Sequence, residues 1–239
     1  MRNPLPMSAT ADPSAFERFG RAVLPSGLAS AALAEFALLA RPRCVPAGGT
    51  VLPEEGEDRI VFLARGATKL VAYAALGREQ IVAFHFADEV VSIPAARAHA
   101  YTLIALRDCE ALVFGSDEFL ELAAKHPALM RTLLQSTLWS LHRSREKSIA
   151  LGRKTARERV AGFLVGMAER IGVPEGNRCV LQLPMSRRDI ADNLGLTIET
   201  ISRQLGELRE EGLVETSGRS TVRLLDLAAL ARGAGRLAG

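Results

Sequence analysis

The chain has 239 residues, 48% hydrophobic and 24% charged, a balance typical of folded globular proteins and enough for two domains with separate cores. Charged residues interrupt every apolar run before it reaches bilayer-spanning length, which excludes a membrane helix and gives no reason to expect a membrane partner. Three dispersed cysteines, Cys44, Cys109 and Cys179, exclude a disulfide framework and suit a reducing compartment.

The net charge of +3 is uneven: residues 1–151 hold 16 Lys/Arg against 16 Asp/Glu, and residues 152–239 hold 14 against 11. A basic C-terminal part suits phosphate contacts, although so small an excess decides nothing alone. Residues 1–14, MRNPLPMSATADPS, lack an apolar core segment. They are expected to be a flexible tail and not a secretory signal, in a cytoplasmic protein.

Residues 15–125 are expected to form one domain. Ala15 to Leu39 is Ala- and Leu-rich and predicts one or two short helices. From Arg43 to about Phe119, apolar runs at Ile60–Leu63, Lys69–Tyr73, Ile81–Phe84, Thr102–Leu106 and Ala111–Phe114 alternate with glycine-bearing turns. That spacing predicts an antiparallel β-roll.

Residues 126–152 are expected to form a long helix and hinge. Met130, Leu134, Leu138 and Leu141 recur at steps of four, four and three, a stripe that breaks at Arg145 and resumes at Ile149. Pro127 fits the first turn of a helix of about 22 residues, with Leu151 to Lys154 as the hinge. The stripe suits either packing against a second copy or covering the chain's own β-roll. Ala156 to Ile171 then opens a domain over residues 153–239, with Val160, Phe163, Leu164 and Met167 as its buried face.

The segment LPMSRRDIADNLGLTIETISRQLGELREEGLVETSGRSTVRLL, residues 183–224, carries the most function. Ser186 and Asp189 form a capping-box pattern before Ile190, Ala191 and Leu194, and Gly195 stops the helix. Thr197 caps a second helix whose apolar face is Ile201, Leu205 and Leu208. At roughly 100° per residue, Glu199 and Arg203 stand opposite Ile201, with Ser202 beside them. Two helices joined by a glycine-containing turn form the helix-turn-helix, whose second helix enters the major groove. There Arg can bond guanine, Glu can accept from cytosine, and Ser serves either. The bland alternative is a Glu199–Arg203 surface pair on an ordinary amphipathic helix. Leu213–Thr216 and Ser220–Leu224 flank Ser217-Gly218-Arg219, a hairpin placed as a wing.

These residues resemble the Crp/Fnr superfamily of transcription regulators. The pattern Glu199-x-x-Ser202-Arg203 is similar to its Fnr and FixK branch; the cyclic-AMP receptor branch has Arg where this chain has Ile198 and Gly where it has Ser202. The resemblance implies an α+β fold: an N-terminal antiparallel β-roll of the cyclic-nucleotide-binding, jelly-roll type, a dimerisation helix and a C-terminal winged helix-turn-helix. It implies a homodimer that binds a TTGAT-like inverted repeat in double-stranded DNA and activates transcription through RNA polymerase. Glu199, Ser202 and Arg203 would read bases. Ser186, Arg187, Arg188, Thr197, Thr200, Ser217, Gly218, Arg219 and Ser220 would contact the backbone. Met130, Leu134, Leu138, Leu141 and Ile149 would form the dimer seam.

No cofactor is expected. The superfamily's cyclic-AMP site uses Gly-Glu and Arg-Ser pairs, whereas this chain reads Asp88-Glu89 and Arg97-Ala98, so cyclic AMP is not expected to bind. Three cysteines, none before Cys44, fall short of the four thiolates of a 4Fe-4S cluster. Haem needs one axial ligand and is left open by His85, His99, His126 and His142. A haem- or redox-responsive variant of the same architecture is the alternative, with Cys179 beside Arg178 as the redox candidate. Two other classes fit less well. A cupin-like metalloenzyme lacks its His-x-His pair, since Phe86 and Ala87 follow His85; an interaction adaptor would not display a charged reading face. No Ser-His-Asp set or phosphate loop is discernible, and no enzyme or metal site is expected.

Overall fold

Two antiparallel sheets face each other in the N-terminal half of the computed structural model, which describes residues 13–52, 57–73, 79–95, 99–176 and 178–235. One sheet has the order β1-β7-β2-β5, from Arg41–Val45, Cys109–Gly115, Arg59–Arg65 and Glu89–Ile93; the other has the order β4-β3-β6, from Glu79–Phe86, Ala67–Tyr73 and Ala100–Ala105.

Side-chain alternation explains the unbroken apolar run of β2, because successive residues serve two cores. Val61 and Leu63 point between the sheets with Leu70, Val91, Leu103 and Val113. Ile60, Phe62 and Ala64 point outward with Leu112 and Phe114 from β7. Helices α1 (Ala15–Ala22), α2 (Ser30–Leu39) and α3 (Ser116–Ala124) cover that outer face. Phe19, Phe36 and Phe119 close it, the Phe114 and Phe119 rings lying 5.0 Å apart. Gly66 links β2 to β3 at φ +89°, where a Cβ would lie 2.5 Å from the Asp108 carbonyl oxygen, so only glycine fits.

Five strands match the expected runs, and two were not delimited in advance. Strand β1 is an edge strand containing Pro42, mostly exposed, and so carries no alternation. Strand β5 follows β4 through Asp88 at φ +68°, a left-handed turn made without the glycine that would have marked it.

Helix α4 runs from Pro127 to Arg153, 27 residues with Pro127 in its first turn. It is longer than expected and passes straight through Arg145. The hinge shrinks to Lys154 and Thr155 before α5 (Ala156–Ile171). Arg159 is the physical reason: its guanidinium donates to the carbonyls of Leu151 at 2.8 Å and Lys154 at 3.0 Å, satisfying the last turn of α4. Leu129 is the buried residue of α4. Met130, Leu134, Leu138, Leu141 and Ile149 are exposed, Leu134 at 59% and Leu138 at 55%. The stripe therefore does not cover the chain's own β-roll. No helix among the described residues is long and apolar enough to cross a membrane.

After α5 come β8 (Val173–Glu175), β9 (Arg178–Gln182), α6 (Arg187–Leu194), α7 (Ile198–Glu210), β10 (Val214–Ser217), β11 (Thr221–Leu224) and α8 (Leu227–Gly233). The wing hairpin β10–β11 belongs to a four-stranded sheet, β10-β11-β9-β8. Ser217 pairs with Thr221, so the turn is Gly218-Arg219-Ser220, one residue later than the spacing predicted. Gly218 takes the left-handed position at φ +62°.

Candidate nucleic-acid interface

Helix α6 starts where its cap dictates. Ser186 Oγ accepts from the Asp189 amide at 3.1 Å, and Asp189 Oδ2 accepts from the Ser186 amide at 2.9 Å and from its hydroxyl at 2.6 Å. Burial raises the Asp189 carboxyl; hydrogen bonds from Lys69 and Ser186 more than offset this and hold it below the usual range. Ser186→Ala is expected to lower stability by about 1 kcal/mol, read as a lower denaturant midpoint at unchanged slope.

Gly195, at φ +62° and ψ 42°, ends α6. Thr197 Oγ1 then accepts from the Thr200 amide at 3.2 Å and opens α7. Ile201, Leu205 and Leu208 are buried against α5 and α6 in one core with Val160, Leu164 and Ile190. That burial fixes the rotation of α7, so Glu199 and Arg203 face solvent and Ser202 sits half-buried beside them.

The three side chains are chemically ready for base edges. The backbone N–H of Glu199 and the Thr197 hydroxyl hold the Glu199 carboxyl below its usual value; at neutral pH it is a pure acceptor. Arg203 is 67% exposed, and its ion-pair contact is a loose one, 3.9 Å to Glu207 one turn on. It is not with Glu199, the surface pair that the bland alternative required. Ser202 Oγ accepts from Arg187 Nη1 at 3.4 Å, so the first residue of α6 leans directly on the exposed face of α7.

The remaining candidates are less closely gathered. Arg187, Arg188 and Thr197 are exposed at the starts of α6 and α7; Ser217, Gly218 and Arg219 are exposed on the wing, with Thr200 and Ser220 half-buried. The Ser186 hydroxyl is already committed to Asp189. One further side chain stands beside these candidates. Ile198, the first residue of α7, is 40% exposed beside Glu199, an apolar group suited to a thymine methyl. Its signal was an apolar side chain at the first helical position, where a surface helix would carry a polar one.

Cys179, the redox candidate, stands in a packed setting. Cys179 is half-buried on β9, burial pushes its thiol pKa up, and its sulfur packs so tightly on Gly172 that a Cβ there would lie 2.4 Å away. A neutral, packed thiol is a poor nucleophile. Mild peroxide is expected to leave operator affinity unchanged, in the natural chain and in Cys179→Ser alike.

Of the four histidines, His85 is buried on β4, His126 precedes α4 with its ring 6.3 Å from Phe36, and His142 lies 5.8 Å from Trp139, His142 and His99 being exposed. Among the described residues, no three His, Cys, Asp or Glu side chains gather as a metal site. Asp88 pairs with Arg18 at 2.9 Å and Glu89 with Arg170 at 2.8 Å, whereas Arg97 and Ala98 lie outside the described residues.

A β-roll, a long helix with an uncovered apolar stripe and a winged helix-turn-helix with an open polar face together define a two-domain DNA-binding regulator. Residues 42–126 match the cyclic nucleotide-binding domain and residues 158–232 the Crp-like helix-turn-helix domain. The chain is 35% identical over 173 residues to the nitrogen fixation regulation protein FixK of Rhizobium meliloti, covering 72% of this chain and 77% of that protein. It is 34% identical over 198 residues to the transcriptional activator protein FnrL of Cereibacter sphaeroides, covering 81% and 80%. The solved structure of FixK2 from Bradyrhizobium japonicum superposes with a TM-score of 0.71 at 29% identity, covering 84% of this chain and 98% of that one. The chain belongs to the Crp/Fnr family of DNA-binding transcription regulators, on its Fnr/FixK-like side.

Proposed function

We propose that the protein is a homodimeric transcription activator that reads a TTGAT-like inverted repeat. The observation that carries this is the orientation of α7: Ile201 is fully buried, Glu199 and Arg203 are exposed on the opposite side, and Ser202 sits half-buried beside them. An acid, a hydroxyl and a guanidinium at the N-terminal end of a recognition helix match the acceptors and donors of the major groove. Arg187, Arg188, Thr197, Thr200 and the wing's Ser217 to Ser220 supply phosphate contacts, and Ser186 holds the helix that carries the two arginines.

The exposed stripe of α4 supplies the second copy. Met130, Leu134, Leu138, Leu141 and Ile149 form an apolar face that one chain leaves uncovered. Burying it in a twofold seam sets two α7 helices about one turn of DNA apart. Activation through RNA polymerase is inferred from the similarity to FnrL, itself named a transcriptional activator. No resident cofactor is needed: the three cysteines fall short of a cluster, and the Glu89 that remains of a nucleotide site is taken by Arg170.

An electrophoretic mobility shift with the natural full chain tests the assignment. A duplex carrying the TTGAT inverted repeat is expected to shift at least about 10³-fold more tightly than a scrambled duplex at physiological salt. Equal shifts on both would overturn it.

A further inference from the structure

The C-terminal domain is gripped by the β-roll. Strand β4 is the edge of its sheet, and side chains from three helices satisfy its outward backbone groups. Asp192 accepts from the Ile81 amide at 2.8 Å, and Asn193 donates to the Ile81 carbonyl at 3.0 Å. Lys147 of α4 donates to the carbonyls of Ile81 at 3.1 Å and Val82 at 2.6 Å, and Arg170 of α5 donates to that of Phe84 at 2.7 Å. Lys69 on β3 pairs with Asp189 at 2.7 Å. Ala67, Val71, Ile81, Phe84 and Phe86 share one apolar core with α5, α6 and α7. The first helix of the helix-turn-helix is thus held by its flank, and the reading face of α7 stays open.

The centre of this junction is electrostatically tight. Arg170 Nη2 lies 2.8 Å from both Glu89 carboxylate oxygens, and its guanidinium sits 4.5 Å over the Phe86 ring. Against them lies His85, 8% exposed. Its Nδ1 is 3.4 Å from Glu89 Oε2 without hydrogen-bond geometry, and its Nε2 has no partner. The charged groups facing His85 are Glu89 on β5, Arg170 on α5 and Arg143 on α4. The Glu89 carboxylate is already held by Arg170 through both oxygens, and Arg143 adds a second positive charge facing His85, so a proton on His85 would bring a third cation to a site with one carboxylate.

We propose that this junction is an acid-sensitive latch: with His85 neutral, β4 holds the helix-turn-helix against the β-roll, and protonation of His85 releases it and weakens DNA binding. The second half rests on the DNA reading above; the first half does not. A held reading head is already oriented, whereas a released one binds only in the fraction of time it is correctly placed.

The sign follows from linkage. Burial pushes His85 below its ordinary 6.5; Glu89 opposes this, and Arg170 and Arg143 add to it. The undocked form therefore takes up the proton first. Docking is at full strength above pH 6.5 and falls by up to about tenfold per pH unit below it, until the docked His85 itself titrates. Lys147 is lowered by burial to about 8, so its pH dependence lies above that value. Glu89 and Asp189 are both held below their ordinary 4.5 and 3.8 and titrate only in stronger acid. Among these junction groups His85 owns the range between pH 5 and 7.

The Ile81 amide, bonded to Asp192 across the junction, reports docking directly. Its hydrogen-exchange protection, corrected for intrinsic rate, is to be followed in the full chain from pH 8 to 5.5 beside operator affinity. Natural protein is expected to hold constant protection down to about pH 6.5 and then to lose up to about tenfold per unit, with affinity falling in parallel. His85→Leu is expected to stay flat; if it does not fold, His85→Gln, neutral throughout, makes the same test. Glu89→Gln is expected to lose Ile81 protection at every pH while amides of β2 keep theirs. The latch is overturned by a flat natural profile, by natural and His85 variants falling together, by full protection in Glu89→Gln, or by protection falling while affinity does not. No operator binding at pH 8 with the Ile81 profile as expected would refute the DNA reading and support the latch.

Discussion

Arg203→Ala is expected to cost about 1–3 kcal/mol per half-site on the specific operator, and about twice that on a palindrome read by two protomers. The side chain is 67% exposed and only loosely tied to Glu207 at 3.9 Å, so truncation leaves no buried partner orphaned. Stability is expected to change by less than about 0.5 kcal/mol, as at other surface positions. The loss should be confined to one base pair, because a bidentate guanidinium reads one guanine. Titration against operators altered at each position checks this. A uniform loss across all sequences would make Arg203 a phosphate contact and remove the base-reading role.

A charge in the middle of α4 is expected to act more broadly. Leu138→Asp leaves the single chain intact, since Leu138 is 55% exposed there, but it would place a carboxylate in the proposed twofold seam from both sides. Burying an unpaired carboxylate costs several kcal/mol, enough to dissociate a dimer held by one helix pair. Sedimentation should then show monomer at micromolar concentration with an unchanged unfolding midpoint. Affinity for the inverted repeat should fall by on the order of 10²–10⁴-fold, the advantage of linked reading heads. A Leu138→Asp chain that stays dimeric would move the seam off α4.

The parts legible in the sequence were those whose signals are local. Ser186 with Asp189, Gly195 and Thr197 lie within a dozen residues, and each encodes its own cap or turn, so both helices of the helix-turn-helix are legible in the sequence. The same holds for the apolar runs of β2, β3, β4, β6 and β7. Strands β1 and β8 were not legible, because exposed edges containing Pro42 and Pro174 carry no alternation. Nor was the exact hinge, which depends on Arg159 reaching back to Leu151. The domain junction was beyond reach for a different reason. Lys69 and Asp189 are 120 residues apart and Glu89 and Arg170 are 81 apart; in sequence each is an ordinary surface charge. The packing of Cys179 against Gly172 was equally out of reach, because in sequence only its neighbour Arg178 is visible.

The proposed latch and the proposed seam would act on the same quantity, the separation and orientation of two α7 helices. Lys147 lies on α4 and holds β4, while Arg159 ties α4 to α5 and to the Leu194 carbonyl at the end of α6. A displacement of β4 therefore reaches the reading head through contacts already in place, with no separate transmitting element required.

The most direct test varies the DNA and leaves the protein untouched. Affinity is to be measured for an inverted TTGAT repeat at its natural spacing and for one with five base pairs inserted at the centre, which turns one half-site to the opposite face of the helix. Two α7 helices fixed by one twofold seam should bind the first tightly and the second no better than a single half-site. Equal affinity for both duplexes would contradict the account.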